Sequence, residues 1–216
     1  MSVRLQSYPQ AGGRKTAAGA RALAAVFAFA LFAVAAPRAA LAAGDLKAGE
    51  QKAQVCAACH GAGGNSANPM YPILSGQPAQ FIATALFEFR EGKRKNEQMS
   101  PMAAKLTNAD LNDLAAYFSA QPAPPPLRQT TAPNVSAGRD LTVKNACIAC
   151  HGAKLLGQQQ MPRLAGQFQD YLRTQLTGFK AGTRADMDGT MSSAAQGLSP
   201  QDIDVLADYL SGLPTQ

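Results

Sequence analysis

The chain has 216 residues, of which 46 % are hydrophobic and 16 % are charged, and this composition excludes a disordered protein. Four cysteines are too few for a dense disulfide scaffold. The formal net charge of +6 is a property of the N-terminus, because residues 1–42 hold five basic and no acidic residues. The remainder holds 15 basic and 14 acidic residues, a net charge of +1, so we do not expect it to bind nucleic acid.

Residues 1–42 are predicted to be an export signal. Arg14, Lys15 and Arg21 precede an uninterrupted apolar run over residues 22–36, which is shorter than the roughly 20 residues that span a bilayer. The small-x-small sequence at 40–42 then predicts cleavage after Ala42, with Ala43 second. The alternative is an uncleaved membrane anchor. Cleavage implies a periplasmic protein that meets the membrane only through its partners and receives any cofactor outside the cytoplasm.

The rest of the chain is an internal duplication. Matching residues in the two copies keep an offset of 90 to 92, and the shared landmarks include Gly76-Gln77 with Gly166-Gln167 and Phe89 with Phe179. Two copies predict two similar domains, over residues 44–121 and 134–216. The proline-rich segment 122–133 between them is predicted to be an extended connector without helix.

Each copy is predicted to be all-α. In chain order we expect helices over residues 45–55 and 79–89, one that includes 111–118, and then helices over 137–145, 168–179 and 200–211. Apolar residues in the third and the last of these recur at helical spacing, with Thr107 or Asn108 and Ser199 as N-caps. Pro200 fits the first helical position, and Gly212 and Pro214 fit the end. No segment shows the alternation of a strand.

Every cysteine and histidine of the chain lies in two CxxCH motifs, Cys56-Ala57-Ala58-Cys59-His60 and Cys147-Ile148-Ala149-Cys150-His151. CxxCH is the attachment signal of haem c: the two thiols form thioethers with the haem vinyl groups, and the adjacent histidine supplies the proximal nitrogen to iron. The sequence therefore predicts two covalently bound haem c groups.

Three other uses of such residues fit the sequence less well. A structural zinc ion needs four converging ligands, whereas each copy offers two cysteines and one histidine. A thioredoxin-like redox pair expects a βαβ context, which the pattern lacks. Disulfides suit an exported protein, but they do not explain a histidine directly after the second cysteine in both copies.

Methionine is the candidate for the sixth iron ligand, since no histidine is left over. Met99 and Met191 each lie seven residues before an aligned leucine, whereas Met102 and Met187 have no methionine counterpart in the other copy. Pro101 predicts a non-helical segment here, in which Met102 is the rival ligand. The ordinary structural role of a methionine is to fill a gap in the apolar core, and this is our expectation for Met70 and Met161.

The two halves resemble class I cytochromes c, and the whole resembles the dihaem cytochrome c₄ family. The motifs that carry the resemblance are CAACHG, YPILSGQ, FREGKR and MSPMAAKLTNADLNDLAAYF in the first half, and CIACHG, MPRLAGQ, FKAGTR and MSSAAQGLSPQDIDVLADYL in the second.

The resemblance implies one His/Met-ligated haem per domain, with the haem edges facing each other across the domain interface. It also implies that the carbonyls of Pro72 and Pro162 accept hydrogen bonds from His60 and His151, and that Tyr117 and Tyr209 pack on the first helix of their domain. The spacing from Gly138 to Cys147 exceeds that from Gly49 to Cys56 by two residues, which leaves the packing of the first helix of the second half open.

The densest basic run comprises Arg90, Lys93, Arg94 and Lys95. It is interpreted in three ways: as a docking patch for an acidic partner, as a source of haem-propionate contacts, or as a solvated loop. Arg184 recurs at the place of Arg94 in the repeat, which favours a propionate contact for these two arginines.

An iron with histidine on one side and methionine on the other has no vacant position, which favours electron transfer over catalysis. The first hypothesis is a soluble shuttle from a quinol-oxidising complex to a terminal oxidase, such as a cbb₃-type enzyme. The second is the cytochrome subunit of a periplasmic dehydrogenase, for example a flavocytochrome sulfide dehydrogenase. A peroxidase would require one haem to lack its methionine, and both candidate methionines are present.

Overall fold

The computed structural model describes residues 44–126 and 128–216, and the predicted export signal lies outside these residues. All regular structure in the described ranges is helical, apart from one isolated bridge between Gln158 and Met161. In the described part of the chain, no helix combines the length and the apolar character needed to cross a membrane. The all-α prediction is confirmed.

The first half contains five α-helices, α1 (Leu46–Ala53), α2 (Ala57–His60), α3 (Ala79–Arg90), α4 (Met99–Ala103) and α5 (Asn108–Ala120), and a 3₁₀ turn over Ala62–Gly64. The second half repeats the order as α6 (Ala132–Lys144), α7 (Cys147–His151), α8 (Gln169–Ala181), α9 (Thr190–Gln196) and α10 (Pro200–Ser211). Helix α5 packs against α1 and α3, and α10 packs against α6 and α8 in the same way.

Each half has its own apolar core on the inner face of its last helix. In the first half Leu114, Ala115 and Phe118 of α5 meet Ala53 of α1 and Ile82 of α3. In the second half the core includes Leu155, Leu172, Leu198, Ile203, Leu206, Ala207, Tyr209 and Leu210. Two cores with the same helix order agree with the duplication.

Capping explains where the last helices begin. The Thr107 side chain accepts from the backbone N–H of Asp110, whose carboxylate accepts from the N–H of Thr107 in return. Ser199 and Asp202 form the same reciprocal pair at the start of α10, and Gly212 follows the end of that helix. These pairs satisfy backbone donors that a helix start leaves free.

Two helices contain a proline that we expected to prevent helix formation. Helix α6 begins at Ala132, so the prediction that the segment 122–133 lacks helix is wrong for its last two residues. Helix α4 contains Pro101, so the prediction of a non-helical segment there is also wrong. In both helices the proline lies in the first turn, where its missing N–H leaves no intrahelical bond unmade.

Candidate cofactor sites

Each CxxCH motif forms a short helix that ends on its histidine. Cys56 precedes α2 and His60 is the last residue of that helix, while Cys147 and His151 are the two ends of α7. All four thiols are free in the described structure, and Cys59 is exposed. Burial raises the pKa of the Cys56 and Cys147 thiols. Each motif therefore offers two unpaired thiols for thioether formation.

Both histidines are held by a proline carbonyl. His60 Nδ1 lies 2.9 Å from the carbonyl oxygen of Pro72, and His151 Nδ1 lies 2.8 Å from that of Pro162. A carbonyl oxygen can only accept, so Nδ1 carries the proton in both rings. Burial lowers the pKa of both imidazoles against the opposing effect of this hydrogen bond, which keeps the rings neutral.

The other ring nitrogen is then free to bind a metal. His151 is only 3 % exposed, and its Nε2 is buried without a hydrogen-bond partner. A buried unpaired nitrogen costs free energy unless a ligand satisfies it. With two thiols on the same helical turn, this donor set fits haem c, with iron at Nε2 and thioethers at the cysteines.

The two repeat-matched methionines are placed alike. Met99 is the first residue of α4 and Met191 is the second residue of α9. The N–H of Met99 donates to Asn96 Oδ1 at 2.8 Å, and the N–H of Met191 donates to Asp186 Oδ2 at 2.8 Å. Each candidate ligand thus starts a short helix that is anchored by a side-chain oxygen a few residues upstream.

The rival methionines face solvent. Met102 is 51 % exposed and Met187 is 60 % exposed, whereas Met99 and Met191 are partly buried. Met70 is 76 % exposed, so the expectation that it fills a core gap is wrong. Met70 lies in the turn Asn68–Tyr71, in which the Tyr71 N–H donates to the Asn68 carbonyl and both intervening residues are exposed. Met161 is partly buried.

Arg94 and Arg184 meet across the two halves. Each guanidinium stacks on the repeat-matched phenylalanine of its own half, Phe89 at 4.5 Å for Arg94 and Phe179 at 4.2 Å for Arg184. Both donate to Gln175 Oε1, at 2.9 Å from Arg94 and 2.6 Å from Arg184. The exposed Lys93 and Lys95 do not share this environment.

Two carboxyl groups, Glu88 and Asp186, lie near this arginine pair. Burial and the charge of Arg94 lower the pKa of Arg184 to about 10, and its Nε is buried without a partner. Burial raises the pKa of the nearby Glu88, against the attraction of both arginines. Burial would also raise the pKa of Tyr171, but the two arginine charges outweigh it and lower that pKa. The buried, unpaired Nε of Arg184 is the donor that is left for a further acceptor, such as an anion.

Sequence reasoning missed the residues that support these sites. Glu88, Tyr171 and Gln175 surround the arginine pair, and Asn96 and Asp186 anchor the methionine-bearing helices. Tyr171 stands where the first copy has Phe81, and the additional hydroxyl group could have indicated a residue with a polar partner. The others carried none, because their partners lie in the opposite half or in a loop of variable spacing.

Comparison with known proteins agrees with this geometry. The family model for cytochrome c matches residues 46–121 and 135–214. The chain is 43 % identical over 180 residues to cytochrome c4 of Thiocapsa roseopersicina, covering 79 % of this chain and 93 % of that protein. The crystal structure of reduced recombinant cytochrome c4 from Pseudomonas stutzeri superposes with a TM-score of 0.73 at 33 % identity, covering 79 % of this chain and all of that one.

A second kind of relative is also similar. The thiosulfate dehydrogenase electron acceptor of Thiomonas intermedia is 35 % identical over 175 residues, which cover 76 % of this chain and 80 % of that protein.

The duplicated helical fold, with a CxxCH site in each half, defines a dihaem class I cytochrome c that transfers electrons. Two haem c groups are its cofactors. Within that class, the chain belongs to the cytochrome c4 family.

Proposed function

We propose that this protein is a periplasmic electron shuttle that accepts electrons from a quinol-oxidising complex and delivers them to a terminal oxidase. The observation that carries the proposal is that each half holds a CxxCH histidine bonded to a proline carbonyl and a partly buried methionine at the matching repeat position. Two ligand sets of the same kind leave neither site open for a substrate, so we assign the protein no catalytic reaction of its own.

The ligand assignment is part of the proposal. His60 with Met99, and His151 with Met191, are the axial pairs, and the cysteines of each motif bind the haem edge. When bound, the haem iron supplies one-electron chemistry, and methionine ligation raises its reduction potential. The chain's contribution is to hold the imidazole tautomer through the Pro72 and Pro162 carbonyls and to exclude water from the buried Nε2 of His151.

Arg94 and Arg184 are assigned to the haem propionates. The unpartnered Nε of Arg184 and the mutual repulsion of the two guanidinium groups support an anion at this place. Lys93 and Lys95 are exposed beside them and fit the docking interpretation of the basic run instead.

Export and domain organisation follow from the sequence pattern. The basic and apolar run before Ala42 supports cleavage of residues 1–42 and delivery to the periplasm, where haem is attached. Residues 44–121 and 134–216 are then the two cytochrome domains, with residues 122–133 as their connector.

A second candidate function is supported by the likeness to the thiosulfate dehydrogenase electron acceptor. In this case the direct donor is a periplasmic dehydrogenase, as in the hypothesis of a flavocytochrome subunit, and the protein is its dedicated acceptor. The haem sites are the same for both functions, and only the partner differs.

Partner kinetics separate the two functions. The purified oxidised holoprotein is mixed with a quinol-oxidising complex and quinol, or with a thiosulfate dehydrogenase and thiosulfate, and its reduction is followed optically; the reduced form is then mixed with an oxidase. A shuttle is reduced by the quinol-driven complex and reoxidised by the oxidase. Fast reduction by the dehydrogenase alone, with co-elution of the two proteins, contradicts the shuttle and supports the second function.

A further inference from the structure

A Gly-Gln pair follows each CxxCH motif, Gly76-Gln77 in the first half and Gly166-Gln167 in the second. Gln77 and Gln167 occupy equivalent places in the two copies. They are only 3 % and 4 % exposed, so their amide groups are removed from water and need partners inside the protein.

Each glutamine amide exchanges two hydrogen bonds with the other half, and Gln167 Oε1 also accepts from the Phe168 N–H at 3.1 Å. Gln167 Nε2 donates to the Ile73 carbonyl at 3.0 Å, and the Ile73 N–H donates to Gln167 Oε1 at 3.0 Å. Gln77 Nε2 donates to the Arg163 carbonyl at 3.0 Å, and the Arg163 N–H donates to Gln77 Oε1 at 2.8 Å. Ile73 and Arg163 are themselves repeat equivalents, so the two contacts form a symmetric exchange between the halves.

The receiving peptide groups are the ones that hold the histidines. The N–H of Ile73 and the carbonyl of Pro72 belong to a single peptide unit, and that carbonyl accepts from His60 Nδ1. The N–H of Arg163 and the carbonyl of Pro162 likewise share a peptide unit, which accepts from His151 Nδ1. A continuous chain of hydrogen bonds therefore runs from each glutamine, through one peptide group, to the histidine of the opposite half.

Hydrogen bonds in such a chain polarise one another in a medium of low dielectric constant. When Gln167 accepts from the Ile73 N–H, electron density shifts toward the Pro72 oxygen, which then accepts more strongly from His60. A stronger bond at Nδ1 makes Nε2 a more basic ligand and favours ferric iron. The same reasoning applies to Gln77, Pro162 and His151.

We propose that Gln77 and Gln167 are positioning residues that tune the haem of the opposite domain: Gln167 lowers the reduction potential at His60, and Gln77 lowers that at His151. The inference rests on axial ligation by these histidines, as in the proposed function. The contacts between the halves then tune the basicity of each proximal histidine and also hold the two halves together.

The chain is suited to a direct test, because it contains only two histidines. In the reduced holoprotein labelled with ¹⁵N-histidine, the two Nδ1–H signals report one haem site each. Tyr71 lies beside His60, with ring centroids 6.1 Å apart, and identifies the His60 signal through its proton contacts. Following both signals during a redox titration gives the potential of each haem separately.

The matched variants are Gln167→Leu and Gln77→Leu. Gln167→Leu should move the His60 signal upfield and raise the potential of that haem, while the His151 signal stays in place. Gln77→Leu should do the reverse. Equal movement of both signals, movement in the glutamine's own domain, or no movement would overturn the proposal, because a loosened interface alone does not produce the crossed pattern.

Gln167→Glu and Gln77→Glu cover the case in which a leucine variant fails to fold. Burial favours the protonated carboxyl group, which keeps both contacts of the amide: its hydroxyl donates to the Ile73 or Arg163 carbonyl, and its carbonyl oxygen accepts from the N–H of the same residue. The oxygen of a carboxylic acid is a weaker acceptor than that of an amide, so the opposite-domain signal should move upfield, and a downfield shift or a shift confined to the same domain would contradict the mechanism. The ligand assignment is tested first, on the histidine signals of the unsubstituted protein. If those signals lack the ring-current shift of a bound haem, the assignment of His60 and His151 as iron ligands is refuted.

Discussion

Gly138 lies so close to Tyr209 that a Cβ atom added to the glycine would fall 2.3 Å from the tyrosine Cβ. The equivalent contact in the first half joins Gly49 to Tyr117, where an added Cβ would lie 2.8 Å from that of the tyrosine. The first helix of each half thus rests on the last helix through a glycine. The two additional residues before Cys147 do not disturb this contact, because they lie between Gly138 and the motif, where Ala146 takes a left-handed conformation.

Gly138→Ala should destabilise the second domain by roughly 1–3 kcal/mol, the usual cost of forcing extra volume into a packed contact. Chemical denaturation of the holoprotein, followed by circular dichroism, measures the change. Gly197→Ala is the matched control, because nothing lies within 4 Å of its added Cβ and its φ is −75°. The control should leave stability unchanged or raise it by about 0.4–1 kcal/mol, and equal losses in both variants would refute the close-packing argument.

Met99→Leu should remove the long-wavelength sulfur-to-iron band of one ferric haem and lower its potential, because leucine offers no thioether. Met102→Leu is its control and should leave the band intact at a stability cost within about 0.5 kcal/mol, since the side chain is half exposed. Met191→Leu and Met187→Leu form the corresponding pair in the second half. Loss of the band with Met102→Leu instead of Met99→Leu would show that the repeat register does not identify the ligand.

Cys56 and Cys59 replaced together by Ala should unfold the first domain while the second keeps its haem. A domain of this size has a marginal apolar core, and the cofactor supplies part of it. Circular dichroism should lose the helical signal of roughly one half of the chain, and the visible spectrum should fall to one haem. Replacement of Cys147 and Cys150 should give the mirror result, and native helicity in either variant would contradict a structural role for the cofactor.

Asp208 should govern acid stability of the second half. Its carboxylate is buried, which raises the pKa, but hydrogen bonds from Asn134, Arg128 and the Thr131 N–H lower it further than burial raises it. A carboxyl whose pKa is lower in the folded state stabilises the fold above its ordinary pKa near 3.8 and loses this contribution as the pH falls below that value.

Asp208→Asn should therefore cost about 1–3 kcal/mol at pH 7, and the loss should shrink below pH 4. Denaturation at a series of pH values checks both statements. Asp204→Asn is the control, since this exposed carboxylate pairs with Arg173 at the surface and should matter by less than about 1 kcal/mol. A loss for Asp208→Asn that is independent of pH would refute the ionic explanation.

Local signals in the sequence predicted most of the fold. The apolar spacing of α5 and α10 predicted both helices, and the candidate caps predicted their first residues to within one position, because capping and amphipathicity act over a few residues. Proline was overinterpreted at Pro101 and Pro133, since its effect depends on whether it lies in the first turn.

The cofactor motifs could be predicted because they too are patterns of a few neighbouring residues. The residues that surround and support these motifs could not be predicted. Gln77 and Arg163 are 86 residues apart in the chain, and Arg94 and Gln175 are 81 apart. Such contacts depend on how the two halves dock, and nothing in the periodicity of either half specifies that. The repeat marked Gln77 and Gln167 as equivalent residues, and only the structure shows which peptide groups they bond.

The covalent mass of the purified protein tests the central claim most directly. Intact mass spectrometry of the acid-denatured protein, with a pyridine haemochrome spectrum of the same sample, counts the attached haem groups. We expect a polypeptide beginning near Ala43 that carries two haem c groups through thioethers. A mass equal to that of the bare polypeptide, or a colourless protein after acid-acetone extraction, would contradict it.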